Sequence, residues 1–167
     1  MAKKRRSAPK KIDKTNKKQD RPRVLVVEAR YYEHIAEQLL AGAMGVLDAA
    51  NAEVDRVTVP GALEIPPAAA IAVDAAERTR RPYDGVVALG CVIQGETFHF
   101  DVVATQSARA LMDLGVAQRL PVGNGILTVD NEAQALARAN VATGNKGGEA
   151  AKATLALIAL KRGQGQS

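Results

Sequence analysis

Two histidines and a single cysteine are the scarce reactive side chains of this 167-residue chain, so what surrounds each of them decides what it can do. His99 ends the segment Gly90-Cys91-Val92-Ile93-Gln94-Gly95-Glu96-Thr97-Phe98-His99, which leaves an apolar run, passes two glycines and enters a predicted helix with Thr97 and His99 in its first turn. Helix starts carry unpaired N–H groups and the positive end of a dipole. The amides from Gly95 to Thr97, with the Thr97 hydroxyl assisting, therefore suit a phosphate. A histidine beside them, titrating near neutrality, can pass protons to and from a bound substrate. The plainer account is that Thr97 only caps the helix and the glycines only make the turn. His34, inside a predicted helix after Tyr31-Tyr32, reads as a surface or packing residue.

A second run of chemical interest is Val59-Pro60-Gly61-Ala62-Leu63-Glu64-Ile65-Pro66-Pro67. The prolines suit the first turn of a helix, and Glu64 just before them either accepts hydroxyls from a ligand or only complements the helix dipole. Further on, Arg138 and Lys146 flank the polar break from Asn140 to Gly148; each is a possible phosphate partner or a solvated charge. Cys91 and two distant histidines give no zinc-ligand spacing, and one cysteine excludes an intramolecular disulfide.

These residues need elements to place them. After Pro22, short β-branched runs alternate with longer Ala/Leu-rich stretches of helical spacing, the mark of consecutive βα units. Strands are predicted at 24–27, 54–59, 85–89 and 122–128, each apolar enough to be buried in a parallel sheet. Helices are predicted at 32–50, 65–80, 98–114, 131–141 and 147–162. The expected fold is α/β: a three-layer α/β/α sandwich, flavodoxin-like, with a central four-stranded parallel sheet and helices on both faces. Ligands of such folds sit beyond the carboxyl ends of the strands. The segments 28–32, 60–67 and 90–99 follow the first three strands and hold most of the unusual residues, so one composite site is expected.

Length allows one domain. The net charge of +5 hides an asymmetry: residues 1–23 hold eleven Lys or Arg against two acids, leaving twelve bases and sixteen acids elsewhere. Residues 1–22 read as a basic, mobile, solvated arm, 23–163 as the domain and 164–167 as a flexible tail. The arm has no aromatic residue to stack on bases and no apolar helical face, so neither nucleic acid nor a membrane is an expected partner. With no apolar stretch near the roughly 20 residues of a membrane span, a soluble, cytoplasmic protein is expected.

Three ordered motifs, Gly61-Ala62-Leu63-Glu64-Ile65-Pro66, Gly90 through Asp101, and Gly144-Asn145-Lys146-Gly147-Gly148, resemble those of the lumazine synthases, and the likeness runs from Val24 to Leu160. The resemblance implies condensation of 5-amino-6-(D-ribitylamino)uracil with 3,4-dihydroxy-2-butanone 4-phosphate to 6,7-dimethyl-8-ribityllumazine, phosphate and water, without cofactor or metal. It implies that Tyr31 stacks on the pyrimidine, that Ala62, Leu63 and Glu64 bind the ribityl chain and nearby ring atoms, and that Cys91, Val92 and Ile93 supply backbone contacts. Glu96 and Thr97 would hold the phosphate with Arg138, His99 would shuttle protons, and Lys146 would lie close by.

The resemblance further implies pentamers, in some members closed into sixty-subunit shells, with Asn124 and Arg138 reaching each site from the neighbouring subunit, and an association with riboflavin synthase. The Ala-rich helix at 68–76 either packs on another helix or lies on its own sheet. Asn124 and Gln94 depart from the family pattern, which more often has an aromatic residue and an arginine there; Tyr31 for Phe or Trp keeps the stacking face. A catalytically silent shell or flavin-binding scaffold and a nucleic-acid-associated ring are the rival readings. A generic nucleotide-binding domain is disfavoured because the first strand is not followed by G-x-G-x-x-G or G-x-x-x-x-G-K-[ST].

Overall fold

The computed structural model describes residues 21–164; the predicted arm, apart from Arg21 and Pro22, and the last three residues of the predicted tail lie outside the described residues. Four strands, β1 (Arg23–Ala29), β2 (Glu53–Val59), β3 (Gly85–Ile93) and β4 (Val122–Val129), form one parallel sheet in the order β2-β1-β3-β4. The helices are α1 (Glu33–Ala49), α2 (Ile65–Arg78), α3 (His99–Gln118), α4 (Glu132–Ala139) and α5 (Lys146–Gln164). They cover both faces, as the alternating pattern requires. Successive side chains of a strand point to opposite faces, so Val24 and Val26 join the core under α1, α4 and α5, while Leu25 and Val27 join the core under α2 and α3.

Helix α1 shows why its sequence is helical. Ile35, Leu39, Ala43 and Leu47 recur every fourth residue and all are fully buried. Each large member contributes about 1.5–3 kcal/mol through the apolar surface it removes from water. On the opposite face of the sheet α2 buries Ala69, Val73 and Ala76 and leaves Ile71 exposed, so this Ala-rich helix lies on its own sheet.

The structure departs from the predicted strands in two places. β2 is a half-exposed edge strand rather than a buried one, because it pairs on one side only and carries Glu53, Asp55 and Arg56. β3 continues to Ile93 instead of ending at Leu89. Gly90 marks a close approach and not the end of the strand: a Cβ there would sit 3.2 Å from Ile65 Cδ1. Helix α3 likewise runs past Gly115 to Gln118, where Arg119 adopts a left-handed backbone (φ 50°) and the Leu120 N–H closes on the Gly115 carbonyl at 2.9 Å. Asn131 precedes α4 as its cap, accepting the Gln134 N–H at 2.9 Å while Gln134 Oε1 accepts the Asp130 N–H at 3.0 Å.

At the amino ends of the strands, Arg23 holds the sheet's margin. Its guanidinium lies 4.2 Å from the Tyr83 ring centroid and bonds Asp55, and the Tyr83 hydroxyl donates to the same carboxylate at 2.9 Å. That hydroxyl, against the opposing effect of burial and with help from Arg23, holds Asp55 below its ordinary value. Arg21 and Pro22 already pack on the domain here, with Arg21 donating to the Asn51 carbonyl and the Pro22 carbonyl accepting the Glu53 N–H, each at 2.9 Å.

The glycines of Gly144-Asn145-Lys146-Gly147-Gly148 have a packing role that the spacing alone does not reveal. A Cβ on Gly147 would stand 1.9 Å from the Leu39 carbonyl oxygen, because the start of α5 presses on the α1 backbone. Backbone cannot swing aside as a side chain can. Gly147→Ala is therefore expected to cost about 3 kcal/mol or more, the upper end of overpacking penalties, as read by denaturant unfolding. A change within error would show that α1 and α5 are free to separate.

Candidate functional site

A cleft of about 380 Å³ opens beyond the carboxyl ends of the strands. Tyr31 and Tyr32 enter it from the segment after β1, Gly61 to Glu64 from the segment after β2, and Cys91 to Ile93, Gly95, Thr97 and His99 from the end of β3 and the loop that follows. The three strand exits thus converge on one site, as their sequences suggested.

Tyr31 is the open wall. Its residue is 75% exposed, and its ring meets the Tyr32 ring edge to face, with centroids 4.9 Å apart at 74°. A flat, uncovered aromatic face of this kind is a stacking surface. Tyr32 lies deeper, and its phenol is raised first by burial and then by Tyr31, Cys91 and Glu132 nearby. Sequence reasoning singled out Tyr31 and missed Tyr32, Phe100 and Val103 as lining residues. The doublet Tyr31-Tyr32 was the available signal for the first.

Residues Ala62–Glu64 make one turn of 3-10 helix leading into α2, closed by the Glu64 N–H on the Gly61 carbonyl at 3.2 Å. Glu64 occupies the N-cap position of α2, yet its side chain makes no capping hydrogen bond and stays exposed. Among the described residues its oxygens are unengaged, available to hydroxyl donors from outside.

The extension of β3 matters here. Its pairing with β1 stops at Glu28↔Leu89, whereas its pairing with β4 continues to Ile93↔Val129. From Gly90 onward the strand edge that faced β1 is unpaired by any described strand and borders the cleft. Backbone donors and acceptors left there seek partners. Cys91 is half-buried on this stretch, and burial pushes its thiol up to about 11. The thiol stays protonated and is no nucleophile at neutral pH. Carbamidomethylation of this sole cysteine at pH 8 is expected to run roughly a hundredfold slower than for a thiol of ordinary pKa, since thiolate supply sets the rate; a rate like that of a free thiol, followed by mass spectrometry, would contradict the burial.

The loop from Gln94 to Phe98 is exposed throughout and is tied at its start by the Gln94 N–H on the Val129 carbonyl at 2.9 Å. Thr97 precedes helix α3 rather than lying in its first turn, and Phe98 holds the cap position without a side-chain cap bond. The Thr97 hydroxyl is 3.4 Å from the His99 N–H, too long for a strong cap. First-turn amides of α3 are therefore left for another acceptor. The exposed His99 ring has no partner among the described residues. His34, by contrast, is spent on a pairing: its Nε2 is 2.6 Å from Glu132 Oε1 and ties α1 to α4.

Of the predicted site residues, Glu96, exposed in the loop between Gly95 and Thr97, does not line the cleft, and three others stand apart from it. Arg138 is exposed on α4 and bonds its own helix through the Gln134 carbonyl at 3.1 Å. Lys146, at the start of α5, pairs with Glu149 at 2.5 Å. Asn124 projects from the edge strand β4, its Oδ1 accepting the Ile126 N–H at 2.9 Å, and shares with Lys146 a separate hollow of about 310 Å³. Within one chain the cations do not reach the cleft. A larger apolar groove of about 570 Å³ runs between α3, the start of β4 and the end of α5, flanked by Met112 and Val116, which are 67% and 71% exposed.

No group of three or more potential metal ligands occurs among the described residues, and none of their helices is long and apolar enough to cross a membrane. The sequence profile of the family described as 6,7-dimethyl-8-ribityllumazine synthase matches residues 21–162. Relatives bearing that name include one from Azorhizobium caulinodans, 64% identical over 140 residues, covering 84% of this chain and 86% of the relative. One from Methylobacterium radiotolerans is 65% identical over 84% of this chain and 82% of its own. Another from Methylobacterium sp. (strain 4-46) is 66% identical over 148 residues, 86% of this chain and 82% of its own.

Proposed function

Because the chain belongs to the 6,7-dimethyl-8-ribityllumazine synthase family, an enzyme family of riboflavin biosynthesis, we propose that the cleft beyond the ends of β1 and β3 is its active site. The reaction condenses 5-amino-6-(D-ribitylamino)uracil with 3,4-dihydroxy-2-butanone 4-phosphate, releasing phosphate and water. The observation that carries this assignment is the convergence of Tyr31, Ala62 to Glu64, Cys91 to Ile93, Thr97 and His99 on one cavity.

In this reading Tyr31 stacks on the pyrimidine, and the free Glu64 carboxylate accepts ribityl hydroxyls beside Ala62 and Leu63. The unpaired edge of Cys91, Val92 and Ile93 meets polar atoms of the ring. Phosphate rests at the start of α3 against the backbone N–H groups of Glu96 and Thr97, the Thr97 hydroxyl and the first-turn amides, where the helix dipole favours an anion. The substrate amine then attacks the ketone, the resulting imine loses phosphate, and the ring closes; each stage moves protons, and His99 stands at the mouth to carry them. Orientation does most of the work, since holding two reactants together supplies about 7–11 kcal/mol at best and general acid–base help adds to it.

The separation of Arg138, Lys146 and Asn124 from the cleft supports a site completed by a neighbouring subunit, with Arg138 and Asn124 supplied across the interface and Lys146 close by. The apolar groove flanked by Met112 and Val116 is surface that an oligomer would cover. A homopentamer, or a sixty-subunit shell built of pentamers, fits this reading, as do an association with riboflavin synthase, a cytoplasmic location, and a domain over 23–163 between a basic arm and a short tail. Purified protein mixed with both substrates is expected to accelerate formation of the fluorescent lumazine above the uncatalysed background, with light scattering giving the mass. An intact oligomer without acceleration would remove the enzymatic reading and favour a silent shell.

A further inference from the structure

Glu28 is the one charged side chain without solvent exposure among the described residues, and it lies on β1 three residues before Tyr31. An ionised group in a protein interior is expensive to desolvate, and an apolar residue of similar size would serve the core as well. Its oxygens are fully occupied. Oε1 accepts from Arg56 Nη2 at 2.7 Å and from Thr58 Oγ1 at 3.3 Å, both on β2, and Oε2 accepts from Arg30 Nη1 at 3.3 Å. The second arm of the Arg30 guanidinium reaches Glu37 Oε1 at 3.5 Å on α1.

This network spans the short linker that carries Tyr31. Ala29 ends in the sheet, and the Tyr32 carbonyl accepts the Ile35 and Ala36 N–H groups at the start of α1, so the linker is fixed at both ends. Arg30 lies at its middle, held by two long ion pairs, to Glu28 at 3.3 Å and to Glu37 at 3.5 Å. The Tyr32 ring, edge to face, is the aromatic partner of Tyr31 among the described residues, and the linker backbone beside Arg30 sets where the Tyr31 ring starts from.

We propose that Glu28, acting through Arg30, is a positioning residue that sets the Tyr31 ring for stacking. The inference rests on the stacking role given to Tyr31 above. Removing the Glu28 charge releases the Arg30 fork, the linker gains freedom, and the ring no longer presents one face to the cleft. The loss falls on recognition of the ring-bearing substrate alone.

In the full-length protein, Glu28→Gln is expected to raise KM for 5-amino-6-(D-ribitylamino)uracil roughly two- to tenfold, the range an aromatic contact allows. The kcat and the KM for the butanone phosphate stay within about twofold. In a Tyr31→Ala background the same substitution adds nothing, because residues that act as one unit are not additive. If Glu28→Gln fails to fold, Arg30→Gln leaves Glu28 bonded to Arg56 and Thr58 and is expected to show the same split and the same loss of effect in Tyr31→Ala. A full additive effect on top of Tyr31→Ala, or a fall in kcat with KM unmoved, overturns the positioning role while leaving Tyr31 its own. If Tyr31→Ala leaves the KM of the ring substrate unchanged, the stacking role falls and this inference falls with it.

Discussion

His99→Ala is expected to lower turnover roughly tenfold to a thousandfold, on the scale of a lost general acid or base. The ring stands exposed at the first residue of α3 with no partner among the described residues, so its removal leaves no buried group unsatisfied and unfolds nothing. The effect should appear in kcat, with both KM values little changed, because the proton is moved in the reacting complex and not during binding. Residual catalysis above background is expected as well, since orientation in the cleft survives. Steady-state rates with purified mutant and the non-enzymatic background measured alongside decide it. A kcat equal to that of the parent would take His99 out of the mechanism.

Arg138→Ala is expected to raise KM for the butanone phosphate by about ten- to a hundredfold, the range of a charge-assisted contact to an anion. The side chain stands exposed on α4, bonded to its own helix among the described residues, so the substitution leaves the fold intact, and under the proposed reading its effect arises in a neighbour's cleft. That separation gives a sharper test. His99→Ala and Arg138→Ala variants, each nearly silent at low substrate, should regain roughly a quarter of parental activity when unfolded and reassembled as an equal mixture, because sites between unlike subunits can recover both groups. Recovery no greater than the sum of the two separate variants would mean that each chain builds its site alone.

The fold was legible because its signal is periodic. Ile35, Leu39, Ala43 and Leu47 read as one helical face, and Val24 to Val27 as a strand buried on both sides, as they prove to be. The departures arise where a local rule met a tertiary contact. Gly90 reads as a break from its type alone, yet the strand passes through it, and a Cβ there would stand 3.2 Å from Ile65 Cδ1, close enough that the Ile65 side chain would have to give way. β2 looks as apolar as its neighbours at Val54, Val57 and Val59, and only its place at the edge of the sheet leaves it half-exposed.

The site shows the same division. Tyr31, Glu64, Thr97 and His99 each follow a strand, so the rule that ligands bind at strand exits finds them without knowing the packing. Val103 escaped it because lining a cleft from within a helix is a matter of three-dimensional contact, with no residue-type signature to mark it, whereas Tyr32 was marked only by its doublet with Tyr31. Glu28 escaped for a related reason. It was included only as the first residue of the 28–32 segment, and nothing in its type shows that Arg30 and Arg56 pair with it where it is fully buried.

The parallel sheet also gives the molecule two unlike poles. Every strand runs toward the cleft, so Arg21 and Pro22, packed where β1 begins, lie a full strand away, roughly 20 Å at 3.3 Å per residue. Whatever is joined ahead of Arg21, be it an affinity tag, a fluorophore or a second protein, is rooted on the far side from the substrates' mouth. A group placed in the loop between Gln94 and Phe98 would instead stand beside the cleft.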